Sequence, residues 1–202
     1  IISNTRGKKE ALNYITSKFD KINNPNNKFI FDLANFYKNS KDYKKAIKYY
    51  SSIIDKLEDD SEVKADLLYR RGGSYERMKD FVNADKDLLS SLIINPNDAY
   101  VLNYLAYSWL ERDFKINEAI EMLEEAYRQK NNDPYIADSI GWAYYLIDDY
   151  IKAEKFLNEA VQLMPNDPIV NDHYGDILWK LDRKIQARYF WSMVLEMEDA
   201  EQ

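Results

Sequence analysis

Asp133 to Ala160 reads DPYIADSIGWAYYLIDDYIKAEKFLNEA. Asp followed by Pro is the pairing expected where an N-cap precedes the first helical residue. Four aromatics follow, Tyr135, Trp142, Tyr144 and Tyr145, too many for one narrow stripe of a helix. Shifting the window by 34 residues finds the same framework: Pro134 matches Pro168, Gly141 matches Gly175 and Ala153 matches Ala187. Upstream, Ala119, Ala84 and Ala46 precede Ala153 in steps of 34, 35 and 38. A second series of small residues runs Ala34, Gly72, Ala106, Gly141 and Gly175.

Gly or Ala inside a helix lets a neighbouring helix approach with little side chain between them. Two such positions per unit therefore predict two closely crossing helices in each repeat. The units fall at about 27–60, 65–98, 99–133, 134–167 and 168–202. Asp98, Asp133 and Asp167 are expected as N-caps of three first helices, and Pro96 and Pro165 as terminators of two second helices. Residues 7–21 read as the second helix of a preceding repeat, so 1–26 is assigned to that truncated unit and 27–202 to the array.

A 34-residue helix–turn–helix with this pattern resembles the tetratricopeptide repeat (TPR). The fourth unit carries it most fully, in Ile140-Gly141, Tyr144, Ala153, Leu157, Ala160 and Pro165. The fifth has Tyr174-Gly175, Leu178, Ala187, Trp191 and Val194; the third has Leu105-Ala106, Trp109, Ala119, Leu123 and Ala126, with one residue added between its helices. The second places Arg71 where the family prefers an apolar residue, and the first is followed by an acidic insertion around LEDDSEVK. NYLAYSW and DSIGWAYY resemble the repeats of large bacterial members. The resemblance implies an all-α, right-handed α-α superhelical solenoid whose first helices line a concave surface.

On that footing each first helix offers one stripe. It reads Tyr100, Asn103, Tyr107 and Leu110 in the third unit, and Tyr135, Asp138, Trp142 and Tyr145 in the fourth. In the fifth it reads Ile169, Asp172, Asp176 and Trp179, with His173 beside it. The residues expected to bind a partner are Tyr100, Asn103, Tyr107, Tyr135, Asp138, Trp142, Tyr145, Asp172, Asp176 and Trp179. Tyr and Trp supply contact area at low entropy cost and dominate binding hot spots, while the carboxylates favour a basic protein or peptide. The family's carboxylate clamp needs cations that this stripe lacks; Asn35, Arg70 and Arg77 echo it only in part. Gly73 falls on the stripe of the second unit, next to the close-packing Gly72.

The last helix, RKIQARYFWSMVLEM, is apolar on nearly every side, although a terminal solenoid helix should present a polar face. Tyr189, Phe190, Trp191, Met193 and Met197 therefore form the expected interface of a homo-oligomer. Non-catalytic scaffolding is the leading expectation; self-assembly through this helix, or a regulatory domain of a larger protein, are the alternatives.

Composition narrows the remaining classes. With 46% hydrophobic and 31% charged residues the balance is globular, and five Gly and five Pro among 202 residues favour helices. The absence of Cys removes disulfides, thiolate metal sites and cysteine nucleophiles, and leaves both cytoplasm and periplasm open. No apolar run reaches the roughly 18 residues of a membrane span. An opening Ile without a signal-peptide pattern reads as a fragment of a longer chain. Residues 1–57 hold 12 Lys and Arg against 5 Asp and Glu, whereas 58–202 hold 16 against 30. That acidic bulk repels a phosphate backbone, so nucleic acid is not an expected partner. His173 and Asp176 could share a metal, but zinc takes three or four protein ligands and no second His exists. With no P-loop, G-x-S-x-G or G-x-G-x-x-G present, no catalytic residue, cofactor or metal is expected.

Overall fold

The computed structural model describes residues 7, 10, 14–17 and 25–200, with side chains through 197. The chain divides into two compact units, Ile1–Pro96 and Asn97–Gln202. Among the described residues of the first, α1 (Asn27–Asn39), α2 (Tyr43–Ile54), α3 (Glu62–Arg77) and α4 (Phe81–Ile94) form two antiparallel pairs. The second contains α5 (Ala99–Leu110), α6 (Ile116–Gln129), α7 (Pro134–Leu146), α8 (Tyr150–Leu163), α9 (Pro168–Lys180) and α10 (Lys184–Ala200), again in consecutive pairs. The helix expected over 7–21 lies mostly outside the described residues. Of it, 14–17 are helical, and Thr16 Oγ1 stands 3.0 Å from the Tyr37 hydroxyl.

The turns follow from capping chemistry. Lys41, Lys79, Asp148 and Asp182 adopt the left-handed conformation, and the next residue's N–H bonds back five residues, as Asp42 does to Tyr37 O at 2.9 Å and Asp149 to Tyr144 O at 3.0 Å. This is the Schellman closure of the first helix. In three turns the same next residue is an Asp (42, 80 and 149) that caps the second helix through its carboxylate. One residue thus ends one helix and starts another, which keeps the hairpins tight. The third hairpin has the extra residue: Asp113 and Lys115 are both left-handed, and Lys115 stands at the N-cap of α6 without a side-chain cap bond. Asp98, Asp133 and Asp167 each accept from two backbone N–H groups at the starts of α5, α7 and α9.

The small residues pack as their spacing predicts. Ala34, Ala46, Ala84, Ala106, Ala119, Ala153 and Ala187 are all fully buried. A β-carbon on Gly72, Gly141 or Gly175 would stand 2.9 Å from Leu88, 2.6 Å from Leu157 or 2.4 Å from Trp191, each the residue sixteen positions later on the paired helix. Two details differ from the sequence expectation. α3 begins at Glu62, inside the stretch read as an insertion. Arg71, out of place by the repeat pattern, holds the buried Asp87 through Nε (2.6 Å) and Nη2 (2.8 Å) and Ser51 Oγ through Nη1 (2.8 Å). An ion pair there replaces an apolar contact.

Candidate functional site

Three aspartate caps fix the starts of α5, α7 and α9, and these first helices touch one another side by side. Equal distances from the caps put equivalent residues in rows. Two residues past each cap stand Tyr100, Tyr135 and Ile169, exposed by 50%, 59% and 57%. Such side chains at matched positions on adjacent helices make a shared apolar edge open to solvent.

The next row, five residues past the caps, holds Asn103, Asp138 and Asp172. Asn103 Oδ1 is buried without a hydrogen-bond partner, and Asp172 is exposed. Asp138 is instead buried and committed: both of its oxygens lie 3.0 Å from His173 Nδ1 across the α7–α9 contact. Its expected role of orienting a partner is corrected to that of an inter-repeat tie. Burial alone would lower the imidazole pKa, but the bond to Asp138 and the charges of Asp138, Asp172 and Asp176 raise it above 6.5.

The third row is Tyr107, Trp142 and Asp176. Trp142 is stacked on both faces, on His173 with ring centroids 4.2 Å apart and on Tyr145 at 4.7 Å. Trp142 therefore offers an edge, not a face, and Tyr145 closes the stack. Tyr107 is half-buried; its phenol pKa is pushed up by desolvation first, then by Glu111 and Asp138. Asp176 is half-buried as well, and its carboxyl is raised by desolvation and by Asp172, against the lowering effects of His173 and Trp191.

In the last row Leu110 is core, whereas Trp179 remains partly exposed and packs on Trp191 at 5.4 Å. Lys184 Nζ and the Arg188 guanidinium lie 5.5 and 5.9 Å from the Trp179 ring centroid, and Lys180 Nζ lies 5.7 Å from that of Tyr145. This end of the stripe is cationic, a feature missed in reading the stripe as acidic throughout. The signal was available in Lys180, Lys184 and Arg188, each four residues after the last.

The residues expected at an oligomer interface separate into two groups. Trp191 belongs to the α9–α10 hairpin, where it packs on Gly175 and Trp179. Phe190 sets its ring edgewise to Tyr174 at 4.8 Å. Met193 and Met197 are half-buried, and Tyr189 is exposed. Among the described residues, no group of three His, Asp or Glu side chains converges on a metal position, and no helix is long and apolar enough to cross a membrane.

Comparison with known proteins gives a consistent family. The family model described as Tetratricopeptide repeat matches residues 28–55 and 138–167. A curated TPR repeat-containing protein of Pseudomonas aeruginosa is 34% identical over 91 residues, which are 45% of this chain and 15% of that protein. The structure of MamA, residue 41 to its end, from Desulfovibrio magneticus RS-1 superposes with a TM-score of 0.70 at 18% identity, covering 87% of this chain and 97% of that one. PilF of Pseudomonas aeruginosa gives 0.71 at 18% identity, covering 95% and 78%. These structural likenesses carry the fold alone.

Proposed function

Since this chain is built from tetratricopeptide repeats, we propose that it is a non-catalytic protein–protein interaction scaffold holding a partner's peptide or helix along α5, α7 and α9. One observation carries the reading. Tyr100, Tyr135 and Ile169 form an exposed row beside Asn103, whose Oδ1 is buried without a partner. The open row supplies the contact area that a bound segment would cover, with Asn103 beneath it. Tyr107, Tyr145 and the edge of Trp142 flank the track, and Trp179 lies near its cationic end. Asp172 and Asp176 give the middle of the track a preference for basic side chains.

The test is a peptide-library selection on the whole chain, followed by fluorescence anisotropy of the selected peptides. Tyr100→Ala with Tyr135→Ala, and separately Asn103→Ala, should each weaken binding about tenfold or more and leave the circular dichroism spectrum unchanged. Unaltered affinity in both variants would move the site elsewhere.

Self-assembly remains a second reading because Ile185 and Tyr189, four residues apart on one face of α10, are 85% and 60% exposed. Tyr189→Glu is the informative variant, since substituting Trp191 would break the hairpin itself. A dimer by light scattering that this change dissolves would establish assembly; a monomeric wild type would remove it.

A further inference from the structure

The unit Ile1–Pro96 presents a face of a different chemistry. α1 aligns Phe31, Asn35 and Lys38 at spacings of four and three, and α3 aligns Asp66, Arg70, Gly73 and Arg77 at four, three and four. The Arg70 guanidinium lies 5.2 Å from the Phe31 ring centroid, and its Nε donates to Asp66 at 2.8 Å. Asn35 is engaged by the Tyr50 hydroxyl at 2.6 Å. Arg77 is mostly exposed and rests loosely on its neighbour Glu76 at 3.5 Å. Lys38 is half-buried, and its ammonium has no ion pair or hydrogen bond among the described residues. Its amine pKa is lowered by burial first and then by Arg70, with Arg77 adding to this and Asp66 opposing it. Gly73, itself buried, leaves no side chain on the stripe between the two arginines. A half-buried ammonium beside two guanidiniums is repulsive in the free chain and calls for an anion.

The second observation is a pocket beside this stripe. It has a volume of about 270 Å³ and is walled by Phe31, Ile53, Leu57, Val63 and Leu67, with Asp66 also lining it. The volume lies just under the roughly 300 Å³ lower bound of small-molecule sites and suits one large apolar side chain. From Val63 to Arg77 the helix rises about 21 Å, and from Arg70 to Arg77 about 10 Å. One terminal carboxylate cannot reach across that distance, whereas about six extended residues can.

We propose that this face binds an acidic segment of a partner protein. One aliphatic or aromatic side chain sits in the Phe31–Leu67 pocket, and Asp or Glu side chains farther along meet Lys38 and Arg77. Arg70 stands between pocket and cations, already half neutralised by Asp66. One feature favours polypeptide over nucleic acid: a phosphate chain has no aliphatic side chain for the pocket walled by Phe31, Ile53, Leu57, Val63 and Leu67. The site shares no residue with the α5–α7–α9 track, so either reading can fail alone.

The test uses the whole chain and fluorescein-labelled, N-acetylated, C-amidated peptides of about seven residues, long enough for the track above. The reference peptide carries one leucine followed by Glu and Asp; one control replaces the leucine by alanine and another replaces the acids by lysine. The reference should bind, with affinity falling as salt rises, the alanine control about tenfold more weakly, and the lysine control not at all. Lys38→Ala with Arg77→Ala should weaken the reference about tenfold or more. Lys38→Met, which keeps the aliphatic stem, provides the same reading if the double variant unfolds. No binding of the reference, equal binding of the leucine-free peptide, insensitivity to these substitutions, or stronger competition by a single-stranded oligonucleotide would each overturn the proposal. A wild-type dimer dissolved by Lys38→Met would also overturn it, by making a second copy the occupant.

Discussion

Gly141→Ala should destabilise the chain even though alanine is the better helix former. A β-carbon at 141 would stand 2.6 Å from Leu157 Cγ, 2.9 Å from its Cδ2 and 3.0 Å from its backbone nitrogen. The backbone contact means that turning the leucine side chain cannot relieve the clash, and α7 and α8 must move apart. Overpacking of this kind costs about 1–3 kcal/mol, against a gain of about 1 kcal/mol in helix propensity. The expected net loss is about 1 kcal/mol, a fall in melting temperature of roughly 4 °C, read by calorimetry and chemical denaturation. Gly72→Ala provides the contrast. Its nearest obstacles are Leu88 Cγ at 2.9 Å and Cδ2 at 3.2 Å, which belong to a movable side chain, and the backbone contact, Ala84 O at 3.3 Å, is looser than the 3.0 Å contact at 141, so the two effects should cancel to within about 0.5 kcal/mol. Leu157→Ala should cost about 1 kcal/mol less in the Gly141→Ala background than in the wild type, because it removes the clashing Cγ and Cδ2 and leaves only the backbone contact at 3.0 Å. A raised melting temperature for Gly141→Ala, or strict additivity with Leu157→Ala, would refute the close-packing account.

Other perturbations test other contacts. Asp87→Ala leaves Arg71 part-buried and unpaired and should cost about 3–5 kcal/mol, whereas Arg71→Leu with Asp87→Leu should fall near wild type in urea denaturation. His173 has a raised folded-state pKa, so its bond to Asp138 stabilises fully below the unfolded value near 6.5 and is lost as pH rises through the folded value. The stability difference between wild type and His173→Gln, measured by thermal denaturation from about pH 6 to 9, should therefore shrink with rising pH; a flat difference would exclude the tie. Asp98→Ala frees two backbone donors at the start of α5 and should cost about 1 kcal/mol, with faster amide exchange at Tyr100 and Val101.

Periodicity made the helical pairs readable because a buried small residue must recur wherever the same crossing recurs. Asp98, Asp133 and Asp167 were readable as caps because the bonds they make are local. Contacts of particular side chains between helices were not. Asp138 and His173 lie 35 residues apart, and nothing in a stripe of Tyr, Trp and Asp says which carboxylate is already held. Arg71 looked like a departure from the repeat until Asp87 on the paired helix supplied its counterion. Trp191 reads as exposed only if Gly175 is taken as a slot for any close neighbour; in fact the indole fills it. Of the proposed track, Tyr100, Tyr135 and Ile169 are exposed, and Trp142 is walled in by His173 and Tyr145.

The corners of the hairpins have a bearing on durability. Lys41, Lys79, Asp148 and Asp182 turn with φ of 62°, 60°, 62° and 59°, a geometry that costs an ordinary side chain about 1 kcal/mol or more. Glycine at Lys41 or Lys79 would shed that strain with little change to the helix faces, whereas Asp148 also accepts from the Tyr150 hydroxyl and Asp182 pairs with Lys184. The molecule could thus be hardened one corner at a time, and any change in what it recognises would then have to be sought elsewhere.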